Sequence, residues 1–262
     1  MSVATILEAL LATLKDGAVE IVDLTETLSP DFPVIEMPPP MKQGSPFRST
    51  VISEYDDGGP RWYWNNITLS EHTGTHLDAP VHWVTGKDLP NNAVDTLPVT
   101  QFIAPACVVD CSDAVAKDKG FILTREHLED WEREHGQIDA GSWVFLRSDW
   151  RKVADPTNWT NRGADGAHSP GPDVEAVNFL VYERDVLGFG TETIGSDAGQ
   201  AFRFEPQYPV HEILNGSGRL GLQCMTGLDQ LPPKGALILA LPLKIQNGSG
   251  SPLRVLALVP SE

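Results

Sequence analysis

One short segment, SEHTGTHLDAPVHW between Ser70 and Trp83, limits how this chain can fold more than any other. It contains three of the chain's seven histidines and one aspartate. These residues are His72, His76, Asp78 and His82. Gly74 lies between the first two histidines and Pro80 follows the aspartate, and both oppose a regular helix. The segment is therefore predicted to be an extended chain that enters a tight loop.

An extended chain places residues two apart on the same side. His76 and Asp78 should thus point the same way, and a turn at Gly74 would bring His72 back beside them. Two imidazoles and a carboxylate form a suitable ligand set for a divalent cation. The alternative is that these are polar loop residues that hydrogen-bond to the backbone. Their crowding favours the metal site, because buried imidazole and carboxylate groups are costly unless they are paired or bound to metal.

Composition narrows the class of protein. The chain has 262 residues, a formal net charge of -17 and a hydrophobic fraction of 41%, which is typical of a folded protein. The strong negative charge argues against nucleic acid or an anionic membrane as a partner, and no apolar stretch is long enough to span a bilayer. Cys107, Cys111 and Cys224 form no CxxC pair and leave an odd count, which indicates reduced thiols and a cytoplasmic location.

The N-terminal stretch has apolar residues at helical spacing and predicts an amphipathic helix over residues 3–16 that ends near Gly17. It lacks a basic leader and a small-residue cleavage site, so a signal peptide is not expected. We expect this helix to serve as a packing or oligomer arm. The chain shows no internal repeat or low-complexity linker, and its pattern predicts one mixed α/β domain over residues 1–262 with more strand than helix.

Alternating and continuous apolar runs predict most of the strands. They are expected at Val19–Leu24, Phe47–Tyr55, Arg61–Leu69, Phe102–Val109, Trp143–Arg147, Leu220–Met225, Leu237–Ile245 and Arg254–Val259, with a strand tip at Ile194–Asp197. Helices are expected from the N-cap Thr124 to Gly136, over Asp173–Glu183, and as a short turn over Val210–Leu214.

The segment from His72 to His82 matches every fixed position of the pattern HxGTHxDxPxH, and the chain therefore resembles the cyclase-like amidohydrolases. This family includes bacterial kynurenine formamidase and isatin hydrolase. The strand at Asp23–Thr25, the pair Ser196–Asp197 and a histidine at His211 are consistent with the same resemblance. It implies a β-rich, swivelling β/β/α fold that assembles as a homodimer or a higher homo-oligomer.

By this resemblance, His72, His76 and Asp78 are the expected metal ligands, and His82 is the expected catalytic acid and base. Formamidases of the family bind a second zinc ion through the aspartate, a histidine and a glutamate twelve residues later. The corresponding pair here is His211 and Gln223. A neutral amide removes the main counter-charge of a second cation.

One ion per chain is therefore expected, with Gln223 as a weak fourth ligand or a substrate contact and His211 free to contact substrate. Glutamine in place of the formamidase glutamate resembles the isatin hydrolase branch of the family, which uses a single manganese ion. Manganese is the expected cofactor and zinc the alternative.

The resemblance implies hydrolysis of a cyclic amide C–N bond in a small, flat, aromatic substrate, with isatin opened to isatinate. Aromatic walls for such a substrate are expected from Phe47, Trp62, Trp64 and Trp83. The alternative for each of them is packing in the core or at a subunit contact. Asp197 and Glu212 are not placed in the predicted site.

Two other functions stay open. One is an arylformamidase acting on N-formylkynurenine, although Gln223 would leave its two-metal site incomplete. The other is a metal-binding scaffold protein without turnover, although an intact His82 argues against it.

Overall fold

The computed structural model describes residues 3–261 apart from the side chain of residue 4, so residues 1, 2 and 262 of the expected domain lie outside the described part. The helices are α1 (Val3–Asp16), α2 (Ser112–Lys117), α3 (Arg125–His135), α4 (Trp150–Val153) and α5 (Val174–Asn178). The strands are β1 (Val19–Asp23), β2 (Arg48–Glu54), β3 (Tyr63–Thr68), β4 (His76–Asp78), β5 (Ile103–Asp110), β6 (Ile122–Leu123), β7 (Trp143–Arg147), β8 (Gly171–Pro172), β9 (Gly188–Thr191), β10 (Leu220–Gln223), β11 (Lys234–Ala240), β12 (Gly250–Pro252) and β13 (Val255–Pro260).

Nine of these strands form one sheet in the order β1-β13-β11-β5-β7-β9-β10-β4-β12. The central strands β5, β7, β9 and β10 are parallel, and the flanking strands are antiparallel. Strands β2 and β3 form a separate hairpin, as the alternation there predicts. In the described part of the chain, no helix is both long and apolar enough to cross a bilayer.

The large sheet buries a hydrophobic core on each face. Along β7, Trp143 and Phe145 belong to one core cluster, whereas Val144 and Leu146 belong to the other. Period-two alternation therefore runs through a strand that is apolar at nearly every position, as expected for a strand covered on both sides. The helices α3 and α5 contribute Leu128 and Val177 to the second cluster.

The strand β9 has no clear signal in the sequence because two of its four residues, Gly188 and Gly190, are glycines. A Cβ at either position would collide with an aromatic ring of β7, that of Trp143 or Phe145. The glycines thus let β7 keep its large rings, and this tertiary reason outweighs the poor strand propensity of glycine. The strand tip expected at Ile194–Asp197 is wrong, since those residues lie in the loop that follows β9.

Several boundaries agree closely with the sequence pattern. The helix expected over residues 3–16 is confirmed as α1, and α3 begins after the N-cap Thr124 and ends before Gly136. The strand expected over Leu237–Ile245 is wrong at its end, because β11 stops at Ala240. Pro242 follows soon after, and proline cannot donate a ladder hydrogen bond.

Candidate metal centre

The histidine-rich segment folds as an extended strand followed by a single turn of 3-10 helix. Strand β4 is hydrogen-bonded between β10 and β12, with His76 opposite both Gln223 and Pro252. The turn Pro80–His82 then presents the third histidine. Gly74 precedes the strand with φ of 72°, and a Cβ there would collide with Leu28. The predicted extended chain with a turn at Gly74 is therefore confirmed.

Asp78 is the point on which the imidazoles converge. Its Oδ1 lies 2.8 Å from His72 Nδ1 and 3.4 Å from His76 Nε2. Nitrogen and oxygen atoms that bind one ion at about 2.1 Å lie about 3 to 3.5 Å apart. The side chains of His72, Asp78 and His82 also place one ligand atom each within 4.8 Å of one another. The donor set thus fits a divalent cation.

The tautomer of His76 is set by the backbone. Its Nδ1 donates to the carbonyl oxygen of Gly74 at 2.7 Å, which leaves the lone pair of Nε2 directed toward Asp78. A histidine that binds a metal commonly donates its other ring nitrogen in this way. Burial lowers the pKa of His76, although the charge of Asp78 opposes this effect. The ring is therefore prepared as a neutral ligand.

His72 is oriented by a chain of hydrogen bonds from the opposite side. Its Nε2 lies 2.9 Å from Ser249 Oγ, and that hydroxyl donates its proton to Glu71 Oε2 at 2.6 Å. Ser249 must then accept the proton of Nε2, so a neutral His72 carries no proton on Nδ1. In this neutral form, Nδ1 and the facing carboxylate oxygen of Asp78 are both acceptors, whereas a protonated ring donates to that oxygen. Such a pair attracts a cation.

Asp78 is fully buried, and its second oxygen is also engaged. Gln223 donates its side-chain nitrogen to Asp78 Oδ2, and His211 Nε2 lies 3.7 Å from the same oxygen. Burial would raise the pKa of Asp78, but the positive charges that His82, His76 and His72 carry when protonated, together with a hydrogen bond from His72, outweigh burial and hold the pKa below its ordinary value. The carboxylate is therefore ionised and available to a cation.

His82 lies beside the convergent ligands. Its ring lies against that of His72, with 3.9 Å between centroids and 31° between the ring planes, and it lies 5.6 Å from the ring of His211. Burial lowers the pKa of His82 to about 4, although the charge of Asp78 acts in the opposite direction. A neutral imidazole in this position is able to accept a proton. A ring nitrogen of His82 also lies within 4.8 Å of ligand atoms of His72 and Asp78, so His82 is near enough to act on a water molecule at this point.

Two acidic side chains orient the rings of His211 and Trp83 beside the histidine cluster. His211 is carried by the π-helical turn Val210–Leu214, and its Nδ1 lies 2.5 Å from Asp197 Oδ2. Trp83 donates its indole nitrogen to Glu212 at 2.7 Å, and its ring lies 4.8 Å from that of His211. Asp197 and Glu212, which the sequence analysis does not place in the site, each hydrogen-bond a side chain that contacts the histidine cluster.

The other predicted aromatic walls are placed differently. Trp62 and Trp64 are half exposed on the β2–β3 hairpin, and Phe47 lies half buried just before it. Within residues 3–261, none of the three makes a ring contact with the histidines. Trp83 alone among the predicted walls stands against them. Contact of the other three with substrate stays a prediction.

Comparison with known proteins places this geometry in a family. A family model described as putative cyclase matches residues 22–198. The isatin hydrolase of Roseibium aggregatum is 46% identical over 262 residues, covering 99% of each chain. The kynurenine formamidase of Salinibacter ruber is 28% identical over 190 residues, which are 72% of this chain and 76% of that protein.

The fold agrees with the sequence match. The crystal structure of an isatin hydrolase bound to the product analogue thioisatinate has a TM-score of 0.96 and 45% identity, and each chain is covered completely. This likeness confirms the expected cyclase-like, β-rich α/β fold. The chain therefore belongs to the putative cyclase family.

Proposed function

We propose that the protein is a metal-dependent amidohydrolase that opens the lactam ring of isatin to give isatinate. One observation carries the proposal: Gln223 donates to Asp78 Oδ2 where the formamidase pattern has a carboxylate. The 46% identity with the isatin hydrolase of Roseibium aggregatum, over nearly the whole of both chains, supports the same substrate. We treat residues 1–262 as one domain because β1 and β13, from opposite ends of the chain, pair in one sheet.

We propose one divalent ion per chain, held by His72, His76 and Asp78. When bound, the ion activates a water molecule and polarises the substrate carbonyl. Manganese suits a site of imidazole and oxygen donors, and zinc is the alternative. The amide of Gln223 brings no charge, so it contributes at most a weak ligand or a substrate contact.

His82 then moves the proton. A ring nitrogen of the neutral imidazole takes a proton from water as the water oxygen bonds to the lactam carbonyl carbon. The same nitrogen returns that proton to the lactam nitrogen as the C–N bond breaks. The immediate product carries a free aniline amine and a carboxylic acid, and the acid releases its proton to solvent to give isatinate, so atoms and charge balance without any further reactant.

Trp83 and His211 form the wall that we assign to the substrate. The indole of Trp83 is held by Glu212 and stands against the His211 ring, so its flat face is available for an aromatic ligand. His211 Nε2 faces Asp78 and offers a polar contact to substrate. Phe47, Trp62 and Trp64 complete the proposed wall only if another chain brings their hairpin to the site.

A homodimer or higher homo-oligomer is proposed from the exposed surface of the hairpin. Seven apolar and aromatic side chains there, which we call the hairpin patch, are 41% to 68% exposed. They are Val51, Ile52, Tyr55, Trp62, Tyr63, Trp64 and Ile67. An isolated two-stranded hairpin is marginally stable in water, and patches of this kind are usually covered by a partner. We also propose a cytoplasmic location, because all three cysteines are buried free thiols.

The substrate assignment is tested with metal-depleted protein that is reloaded separately with manganese and with zinc. Each form is assayed on isatin and on N-formylkynurenine, with Asp78→Asn as the control that lacks the charged ligand. Metal-dependent loss of isatin absorbance is the expected result. Turnover of the formamide alone would favour an arylformamidase, and the absence of any turnover would favour a metal-binding scaffold.

A further inference from the structure

Asp197 is the buried partner of His211. Its Oδ1 accepts a hydrogen bond from the backbone N–H of Val210 at 2.7 Å, and its Oδ2 lies 2.5 Å from His211 Nδ1. The backbone N–H of His211 makes a longer bond of 3.4 Å to the same Oδ2. Asp197 is 6% exposed, and the His211 side chain is 14% exposed. One carboxylate therefore fixes both the turn and the ring that the turn carries.

The two oxygens of Asp197 have different partners, and the contact of Oδ2 determines which nitrogen of the His211 ring carries a proton. An ionised carboxylate only accepts hydrogen bonds, so Nδ1 of His211 must carry a proton. The other ring nitrogen, Nε2, faces the reaction centre at 3.7 Å from Asp78 Oδ2. An acid that binds one nitrogen of a histidine determines what the other nitrogen offers to a ligand.

Capping a helical turn does not by itself require this arrangement. Asp173 caps α5 by accepting the backbone N–H of Ala176 at 2.8 Å. Among residues 3–261, no histidine ring hydrogen-bonds to Asp173. Asp197 makes the same kind of backbone bond with one oxygen and directs the second oxygen to His211. A substitution at Asp197 can therefore change the contact with the His211 ring and keep the contact with the Val210 backbone.

We propose that Asp197 is a positioning residue for the hydrolysis, because its Oδ2 holds the Nδ1 proton of His211 and so presents Nε2 to the bound substrate. The inference rests on the proposed function and deepens it. His211 touches the substrate, and Asp197 acts only through His211.

Asp197→Asn tests the role directly. The asparagine keeps an oxygen for Val210 but places its NH2 group against Nδ1, which must then accept a hydrogen bond. The ring proton moves to Nε2. We expect kcat to fall about 10- to 100-fold, as for the loss of other orienting partners, while KM changes little. In protein labelled with 15N histidine, the Nδ1 resonance should change from the protonated to the unprotonated type at a fixed pH.

Asp173→Asn is the matched control, since it makes the same change in a cap that has no histidine. It should leave kcat and the His211 spectrum unchanged. In a His211→Ala background, Asp197→Asn should lower kcat no further. Wild-type kcat in Asp197→Asn, or an additive loss in the double variant, would overturn the inference.

The 15N histidine spectrum of the wild-type protein tests the positioning role of Asp197 separately from the proposed function, and it does not depend on whether the variant folds. Nδ1 found without a proton in the wild-type protein would overturn the positioning role. Wild-type protein that binds metal but leaves isatin intact would instead overturn the proposed function.

Discussion

Gln223 lies opposite His76 in the antiparallel pair of β10 and β4, and its side-chain amide donates to Oδ2 of Asp78. The same oxygen lies 3.7 Å from His211 Nε2. A glutamate in place of Gln223 would surround this point with two carboxylates and an imidazole, which is a ligand set for a second cation.

Gln223→Glu is therefore expected to increase the metal content of each chain, because a full negative charge attracts a second divalent ion. The measurement is elemental analysis of purified protein after equilibration with manganese or zinc. Gln207→Glu makes the same charge change on an exposed side chain and should not alter the metal content. An unchanged ratio in Gln223→Glu would show that the glutamine does not decide the number of ions.

His82→Ala should keep its metal but lose most of its turnover. General acid and base catalysis contributes about a hundredfold or more, so kcat for isatin should fall at least that far. Val84→Ala, a change at an exposed neighbour, is the control for local disturbance. If His82→Ala instead loses metal, His82 is a ligand; if it turns over normally, His82 moves no proton.

The hairpin patch should form an interface between copies of the chain. Trp64→Lys places a charge in the patch and should weaken self-association by about 2 kcal/mol or more, as expected for a central aromatic residue. Light scattering after size-exclusion chromatography measures the mass. Tyr182→Lys alters an exposed aromatic side chain outside the hairpin patch and should leave the mass unchanged. A monomeric wild-type protein would exclude the proposed assembly.

Glu192 should make stability depend on pH. It is 7% exposed, and burial raises its pKa above the ordinary value of 4.5, although hydrogen bonds from Ser148 oppose the shift. The folded state thus keeps a proton that the unfolded chain loses above pH 4.5. This contribution to the free energy of unfolding is complete below that pH and is lost as pH rises through the folded pKa.

Glu192→Gln should remove that part of the pH dependence. Urea unfolding at about pH 5 and about pH 8 measures the free energy of unfolding of both proteins. Relative to the wild type, the variant should be more stable at the higher pH than at the lower one. Glu8→Gln, on the exposed surface of α1, is the control. Parallel pH profiles for the wild type and Glu192→Gln would contradict the expectation.

The sequence pattern predicted the parts of the site that depend on local spacing. His76 and Asp78 are two residues apart in an extended chain, so their shared direction follows from strand geometry. The turn at Gly74 and the return of His72 follow from the same short segment. Gln223 was identified because it follows His211 at the sequence separation at which the family's formamidases have a glutamate.

The remaining parts depend on contacts between distant segments, which spacing does not reveal. Ser249 reaches His72 from 177 residues away, and no local pattern marks it as a partner. Asp197 is an ordinary loop acid until the fold brings it to His211. The strand β9 cannot be predicted from strand propensity, because its glycines are required by the close approach of the β7 rings.

The metal content of each chain, measured together with isatin turnover, tests the central claim most directly. Protein purified without chelator should hold close to one manganese or zinc ion per chain. Asp78→Asn should lose both the ion and the activity, because it removes the one charged ligand at the point of convergence. Equal activity with and without metal, or a ratio near two in the wild-type protein, would contradict a single-ion hydrolase.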